Sequence, residues 1–200
     1  FKYRSKRDGT AWRTTWDWAL FAGGAVPALV FGVAVGNVLQ GVPFELTPEL
    51  FSLYPGGALA KLFGLLNPFA LLCGAVSLSM LVTHGAAWLA LKTEGVVAAR
   101  ARAIGSVTGL LTPAGFVLAG LWLAVGIEGY AFAGEVAADG PSNPLYNDVV
   151  RTASWLTAYA ERPWIAIAPL LGLAGMGMAW LGMRAGREVS TLLWSKLGIF

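Results

Sequence analysis

The side chain best suited to chemistry within a membrane is His84, the only histidine of this chain. It lies inside a long stretch without charged residues, and an ionisable group in such a position is a functional candidate. Met80 lies four residues earlier and therefore on the same helical face, so the two side chains cannot bind one haem iron from opposite sides. Three interpretations remain for His84: a neutral, hydrogen-bonded packing residue, part of a proton or quinone environment, or a haem ligand without Met80 as its partner.

Asp17 is the second candidate because it stands between Trp16 and Trp18, where an apolar stretch begins. The two tryptophans are expected to shield its carboxylate partly from water. Arg13 lies one helical turn earlier, so a surface ion pair is the structural alternative to a chemical role. Cys73 is the only cysteine, which excludes an intrachain disulfide and a cysteine-based metal cluster. We predict no metal site and no catalytic residue on this chain.

The elements that must position these residues are four stretches without any Asp, Glu, Lys or Arg, at 18–44, 62–91, 103–127 and 163–183. The shortest of them has 21 residues. About 20 apolar residues in a helix match the ~30 Å hydrocarbon layer of a bilayer. Only 12% of all residues are charged, against roughly 25% in soluble domains. The sequence therefore predicts an integral membrane protein.

We predict one all-α transmembrane domain over residues 1–200, a polytopic bundle of four complete helices and the start of a fifth. The spans are expected at about 18–40, 64–91, 103–127 and 163–183, with a truncated span at 189–200. A helix of about twelve residues reaches only about 18 Å, which is too short to cross a bilayer. The chain is therefore expected to be an internal piece of a longer protein.

Lys and Arg are distributed unevenly between the two sides that these spans define. Eleven fall on one side and three, Lys61, Arg151 and Arg162, on the other. Such a bias indicates that the rich side faces the cytoplasm, so residues 41–61 and 128–162 are expected to be periplasmic loops. The net charge of +3 therefore reflects the orientation of the protein in the membrane. Nucleic-acid binding is not indicated, because the sequence has no stripe of basic residues interleaved with aromatic residues.

Both periplasmic loops contain a predicted short helix. In the first loop, Thr47 is a candidate N-cap with Pro48 at the first helical position. In the second, a turn at Asn143 and Pro144 precedes apolar residues that recur at helical spacing from Val149 to Ala160. A cap over the bundle is one interpretation of the second loop, and a lid that contacts substrate is the other.

Glycines recur four residues apart inside two of the spans, at positions 32 and 36 and at positions 105 and 109. Small residues at this spacing let helices approach closely in lipid, where no hydrophobic effect drives them together. Both pairs are therefore predicted to be helix-packing sites.

Specific strings along nearly the whole chain resemble subunit II of the cytochrome bd quinol oxidase family. They are FKYRSK at the N-terminus, WR at 12–13, WDW at 16–18, PALVFGVAVGNVLQGVPF at 27–44, LLNPFALLCGAVSLSMLVTHGAAWLALKTEG at 65–95, RARA at 100–103, LAGLWLAVGIEGY at 118–130 and SNPL at 142–145. In that family the complete subunit has nine helices, which implies that this piece begins after the third and ends within the eighth.

The resemblance implies the non-haem subunit of a bacterial inner-membrane oxidase that couples quinol oxidation to reduction of dioxygen to water. Haem b and haem d are then expected in the partner, subunit I, with no cofactor on this chain. Small single-span subunits, membrane lipid and quinone are further expected partners. A transporter or scaffold subunit with similar helix packing is the alternative.

The resemblance also directs attention to proton uptake at the cytoplasmic end of the first span, with Lys6 and Asp17 as the candidate residues. Oxygen reduction consumes protons, and their route needs titratable groups where a helix meets the cytoplasm. Lys2 stands where the family is expected to carry an acid, and the Trp-Asp pair associated with the family's proton route would precede this piece.

Overall fold

The computed structural model describes residues 3–49, 51–54, 56–134, 139–140 and 148–199. Four of its helical segments are long and apolar enough to cross a membrane: Thr10–Gln40, Pro68–Lys92, Gly95–Gly126 and Pro163–Arg184. The prediction of an all-α membrane protein with four membrane-length helices is confirmed. Lys2, the turn at Asn143 and Pro144, and the string SNPL lie outside the described residues.

Seven α-helices follow one another along the described chain: α1 (Thr10–Gln40), α2 (Ala58–Gly64), α3 (Pro68–Lys92), α4 (Gly95–Gly126), α5 (Thr157–Glu161), α6 (Ile167–Arg184) and α7 (Glu188–Ile199). Short 3₁₀ turns cover Arg4–Lys6 and Pro163–Ala166. Helix α3 is the centre of the bundle because it packs against α1, α4 and α7, while α6 packs against α4 and α7.

Two of the helices extend beyond the predicted spans. Helix α1 begins at Thr10 and α4 at Gly95, each eight residues before the apolar stretch that it contains. The length of a charge-free stretch matches the thickness of the hydrocarbon layer. The helix itself is longer, because its backbone hydrogen bonds continue into the polar region of the membrane. Helix α3 instead begins later than predicted, because the Asn67 side chain caps it and Pro68 occupies its first position.

The first connecting loop contains a small hairpin in place of the predicted helix after Thr47. Strand β1 (Glu45–Leu46) pairs with β2 (Ser52–Leu53) in antiparallel register. The prediction was wrong because the Thr47 hydroxyl accepts a hydrogen bond from the Phe51 N–H at 3.1 Å, while the Thr47 N–H donates to the Phe51 carbonyl at 3.0 Å. Both bonds close the loop on itself.

The second loop also contains a hairpin. Strand β3 (Gly129–Phe132) pairs with β4 (Val149–Thr152), with Gly129 opposite Thr152 and Phe132 opposite Val149. The predicted helix over this region is wrong in its first half, because the β-branched residues Val149 and Val150 favour a strand, with Val149 opposite Phe132 and Val150 opposite Ala131. Only the short α5 forms in the second half.

Candidate functional site

Helix α3 contacts α1 through glycines that leave no room for a side chain. A Cβ atom at Gly32 would lie 2.7 Å from the Gly74 Cα and 2.6 Å from the Ser77 Cβ. A Cβ atom at Gly36 would lie 2.7 Å from the Ala70 Cα. The Ser77 hydroxyl also donates to the Ala28 carbonyl at 2.8 Å. The predicted packing role of Gly32 and Gly36 agrees with these contacts.

Helix α3 contacts α4 through hydroxyl groups. Ser79 and Thr112 lie 3.0 Å apart at their Oγ atoms, and the Thr83 Oγ1 lies 2.8 Å from the Thr108 Oγ1. Thr83 is fully buried, and Thr112 nearly so. The second glycine pair faces other neighbours: Gly105 lies against Met183 and Ala86, and Gly109 against Thr83 and Trp180.

His84 joins α3 to α7. Its Nδ1 lies 2.8 Å from the Oγ of the fully buried Ser195. The Ser195 hydroxyl also lies 2.9 Å from the Leu192 carbonyl, to which it can donate its single proton. With the hydroxyl proton assigned to that carbonyl, Nδ1–H is the donor to Oγ. The geometry is that of a hydrogen-bonded residue between two packed helices, which supports the packing interpretation.

Asp17 is bound by Arg4 instead of Arg13. Its carboxylate accepts hydrogen bonds from the Arg4 Nε and from the Arg4 Nη2, the latter at 3.2 Å. Arg13 binds Asp8 at 2.9 Å. The Asp17 side chain is 51% exposed, so its two neighbouring tryptophans shield it only in part. The pKa of Arg4 is raised by the hydrogen bond to Asp17 and by the carboxylate charge.

Lys6 takes part in an aromatic cluster beside this ion pair. Its Nζ lies 4.6 Å from the centre of the Tyr3 ring. Tyr3 stacks on Trp16 with ring centres 5.3 Å apart, and the Trp12 Nε1 donates to the Tyr3 carbonyl at 2.8 Å. The structure therefore brings Lys6 and Asp17 to the same end of α1, but each has its own partner.

Sequence reasoning missed a buried amide network where α1 ends. Asn37 is only 6% exposed, and its Nδ2 donates to the carbonyls of Val33 and Leu65, each at 2.8 Å. The Asn67 Nδ2 donates to the Asn37 Oδ1 at 3.3 Å, while the Asn67 Oδ1 accepts from the Ala70 N–H. The signal in the sequence was an amide side chain inside an otherwise apolar stretch.

An apolar cavity of about 540 Å³ lies between α1, α3, α4 and α6. Cys73, Met80 and Thr112 contribute to its lining, together with apolar side chains such as Phe31 and Phe116. Among the described residues, no group of three His, Cys, Asp or Glu side chains could hold a metal ion. Met80 and His84 lie on the same face of α3, so these two side chains cannot bind one haem iron from opposite sides.

Comparison with known proteins tests the family resemblance that the sequence strings indicate. The family model for the cytochrome bd terminal oxidase subunit II matches residues 1–200. The chain belongs to this family.

Curated relatives of the subunit II chain agree with this membership. It is 41% identical over 198 residues to cytochrome bd-I ubiquinol oxidase subunit 2 of Escherichia coli, covering 98% of this chain and 51% of the relative. It is 48% identical over 174 residues to a probable cytochrome oxidase subunit 2 of Haemophilus influenzae, covering 86% and 45%. A Bacillus subtilis cytochrome bd ubiquinol oxidase subunit 2 is 28% identical over 102 residues, covering 51% and 28%. This subunit II chain thus spans about half the length of the first two relatives.

Proposed function

We propose that this chain is part of the non-haem subunit II of a cytochrome bd-type oxidase, which couples quinol oxidation to the reduction of dioxygen to water. The observation that carries the proposal is the 41% identity, over 98% of the chain, to a cytochrome bd-I ubiquinol oxidase subunit 2. Haem b and haem d belong to subunit I, quinol is the substrate of the whole complex, and the complex lies in the bacterial inner membrane.

The described geometry supports a role of structural support for this chain. The glycine contacts between α1 and α3 and the hydroxyl contacts between α3 and α4 hold three long helices in fixed positions. The single histidine is used in the contact between α3 and α7. Such a body offers a rigid apolar partner to a haem-bearing subunit, while the redox chemistry takes place in that partner.

A transporter or scaffold subunit is the alternative function. A transporter is expected to have interrupted helices with polar groups at the centre of the membrane. Helix α3 runs without a break from Pro68 to Lys92. Together with the family membership, this continuity favours the oxidase.

A deletion strain tests the proposed function. Membranes of the native host without the gene for this chain should lose the quinol-driven oxygen uptake that is due to the bd-type oxidase, and the reintroduced gene should restore it. A transporter or scaffold role predicts unchanged uptake in the deletion strain. Parallel measurement of the haem d absorption band separates loss of the complex from loss of turnover.

The orientation of the chain is a second part of the proposal. The bias of Lys and Arg predicts that the connection at Thr93 and Glu94 faces the cytoplasm and that residues 128–162 face the periplasm. A membrane-impermeant thiol reagent on spheroplasts, applied to a Cys73→Ser background, should label Asp139→Cys and leave Glu94→Cys unlabelled. The opposite labelling pattern contradicts the orientation.

Proton uptake at the start of α1 is the third part, with Asp17 and Lys6 as the candidates. Against it stands the ion pair with Arg4, since a carboxylate bound to a guanidinium is stabilised in its ionised form and exchanges protons poorly. The substitution Asp17→Asn distinguishes the two roles. A proton-relay acid predicts slower oxygen uptake at normal haem content, whereas turnover within about twofold of the parent removes Asp17 from the route.

A further inference from the structure

A basic groove lies between α4, α6 and the turn that follows α6. It has a volume of about 350 Å³ and is lined by Arg102, Ala103, Ser106, Met183, Arg184 and Gly186. Both arginines stand at the membrane boundary, because each ends or precedes a charge-free stretch. Basic pockets between transmembrane helices at this depth are typical binding sites for anionic lipid headgroups.

The two arginines of the groove are held by different partners. The Arg102 Nε and Nη2 both donate to the Glu188 Oε1, which fixes the guanidinium beside Glu188 and leaves its Nη1 donors for a ligand. The Glu188 backbone N–H and, next in size, the hydrogen bond from Arg102 hold the pKa of the Glu188 carboxyl below its usual range. The Arg184 guanidinium lies 5.2 Å from the centre of the Trp180 ring, a contact that uses none of its N–H donors.

The charge of the groove is positive even when Glu188 is counted. Glu188 offsets Arg102, while Arg184 lines the groove and Arg187 follows it before α7 begins. The Ser106 hydroxyl adds a neutral donor on the α4 side. Two guanidinium groups and a hydroxyl match the oxygen atoms of a phosphodiester, which accept hydrogen bonds from arginine in pairs.

Exposed apolar side chains continue from the groove along the membrane part of the same helices. Val107 and Leu110 follow Ala103 on one face of α4, four and seven residues later, and both are exposed. Leu181 is exposed one turn from Arg184 on α6. A ligand with an anionic head and hydrocarbon chains could therefore contact both parts at once, which a free phosphate could not.

We propose that this groove binds an anionic phospholipid, with the phosphate between Arg102 and Arg184 and the acyl chains along Val107, Leu110 and Leu181. The test of this site is independent of the proposed oxidase function, because lipid retention can be measured without oxygen uptake. Its role would be to attach a defined lipid to the contact between α4, α6 and α7.

Native mass spectrometry of the purified protein, with the subunits that accompany it, tests the proposal. The protein is incubated in mild detergent with palmitoyl-oleoyl phosphatidylglycerol or with the phosphatidylcholine of the same chains. We expect preferential retention of phosphatidylglycerol, and Arg184→Gln should lower this retention about fivefold, as expected for one arginine at the membrane surface. Arg184→Lys should keep most of it. Equal retention by the parent and Arg184→Gln would overturn the proposal.

Two further variants keep the test decisive. Arg162→Gln removes an exposed arginine at the opposite end of the segment Pro163–Arg184 and should leave retention unchanged; an equal loss there would indicate general charge attraction instead of a site. Ala103→Phe fills the groove while both arginines remain, so it should also lower retention, and unchanged retention would exclude the groove. Competition by inorganic phosphate alone at the same concentration as the lipid would identify a simple anion site and contradict the lipid proposal.

Discussion

Helix α3 meets α1 and α4 by two different kinds of contact. Towards α1, Gly74 lies opposite Gly32, and the two backbones approach so closely that no Cβ atom fits between them. Towards α4, the hydroxyl groups of Ser79 and Thr83 face those of Thr112 and Thr108. The first contact depends mainly on the close approach of the two backbones, with one added hydrogen bond from Ser77. The second depends mainly on paired hydroxyl groups, so the two contacts should respond differently to substitution.

Each hydroxyl group in the contact between α3 and α4 has a second hydrogen-bond acceptor in its own helix, and the glycine contact has no comparable alternative. The Thr83 Oγ1 lies 2.8 Å from the Ser79 carbonyl of its own helix, and the Thr108 Oγ1 lies 3.1 Å from the Ile104 carbonyl. Each hydroxyl has a single proton, so the bond between helices competes with a bond inside the helix. When the partner is removed, the remaining hydroxyl still has an acceptor. No such alternative exists for a methyl group forced against the backbone.

The largest effect is expected from Gly32→Ala. The added Cβ would meet the Gly74 Cα at 2.7 Å, and because backbone atoms cannot turn away, α1 and α3 must separate. We expect a loss of about 2–3 kcal/mol in the free energy of unfolding in detergent, at the upper end of overpacking effects.

The matched control for this substitution is Gly24→Ala in the same helix, where a Cβ atom has no neighbour within 4 Å. It should be neutral or stabilise the protein by about 0.5–1 kcal/mol, since alanine favours the helix. Equal losses for the two variants would contradict the shape-dependent contact.

A smaller effect is expected where shape and hydrogen bonding combine, at the end of α1. Asn37→Leu leaves the Leu65 carbonyl and the Asn67 amide without their partner, at an expected cost of about 1–2 kcal/mol. Gln40→Leu is the comparison, because the buried Gln40 Oε1 accepts no hydrogen bond within the described part of the chain. Its replacement should be neutral or stabilising in the same unfolding assay.

The contact between α3 and α7 should be next in size. Ser195→Ala removes the hydroxyl that faces the His84 Nδ1, and we expect a loss of about 1 kcal/mol. His84→Gln keeps a hydrogen-bonding side chain and should leave the haem absorption bands of the proposed oxidase complex in place. Selective loss of one haem band in this variant, with the complex intact, would show that His84 has a cofactor role.

The smallest effect is expected from Thr83→Val, which keeps the shape and removes the hydroxyl. Interhelical hydrogen bonds in membrane proteins average about 0.6 kcal/mol, and Thr108 retains its bond to the Ile104 carbonyl. A double-mutant cycle with Thr108→Val measures the coupling directly. A coupling energy as large as the loss expected for Gly32→Ala would contradict the view that the hydroxyl contact with α4 is weaker than the glycine contact with α1.

The helices of this molecule could be predicted from the sequence because lipid imposes a simple rule on them. A span must be about 20 residues without charge, and its backbone must bond internally. The glycine pair at positions 32 and 36 was also recognisable, since its spacing identifies one face of α1. The sequence did not predict that Gly74 on α3 would be the neighbour of Gly32. The spacing of the glycines identifies the packing face of α1 but not the helix that packs against it.

The partners of the polar candidates were less predictable. Local spacing favoured Arg13 for Asp17, but the turn Arg4–Lys6 brings Arg4 back along α1, and the two arginines then bind different carboxylates. Ser195 lies 111 residues from His84, so no local pattern connects them. Both hairpins were missed because two strands of two to four residues depend on their pairing more than on their own sequence.

Capture of the protein through a tag on this chain tests most directly whether it supports a haem-bearing oxidase partner. The captured material should show the absorption bands of haem b and haem d and should take up oxygen when quinol is supplied. Gly32→Ala should lower the haem recovered per captured chain, while Gly24→Ala should not. A captured chain that is folded and abundant, yet carries no haem and supports no quinol-driven oxygen uptake, would contradict the proposed function.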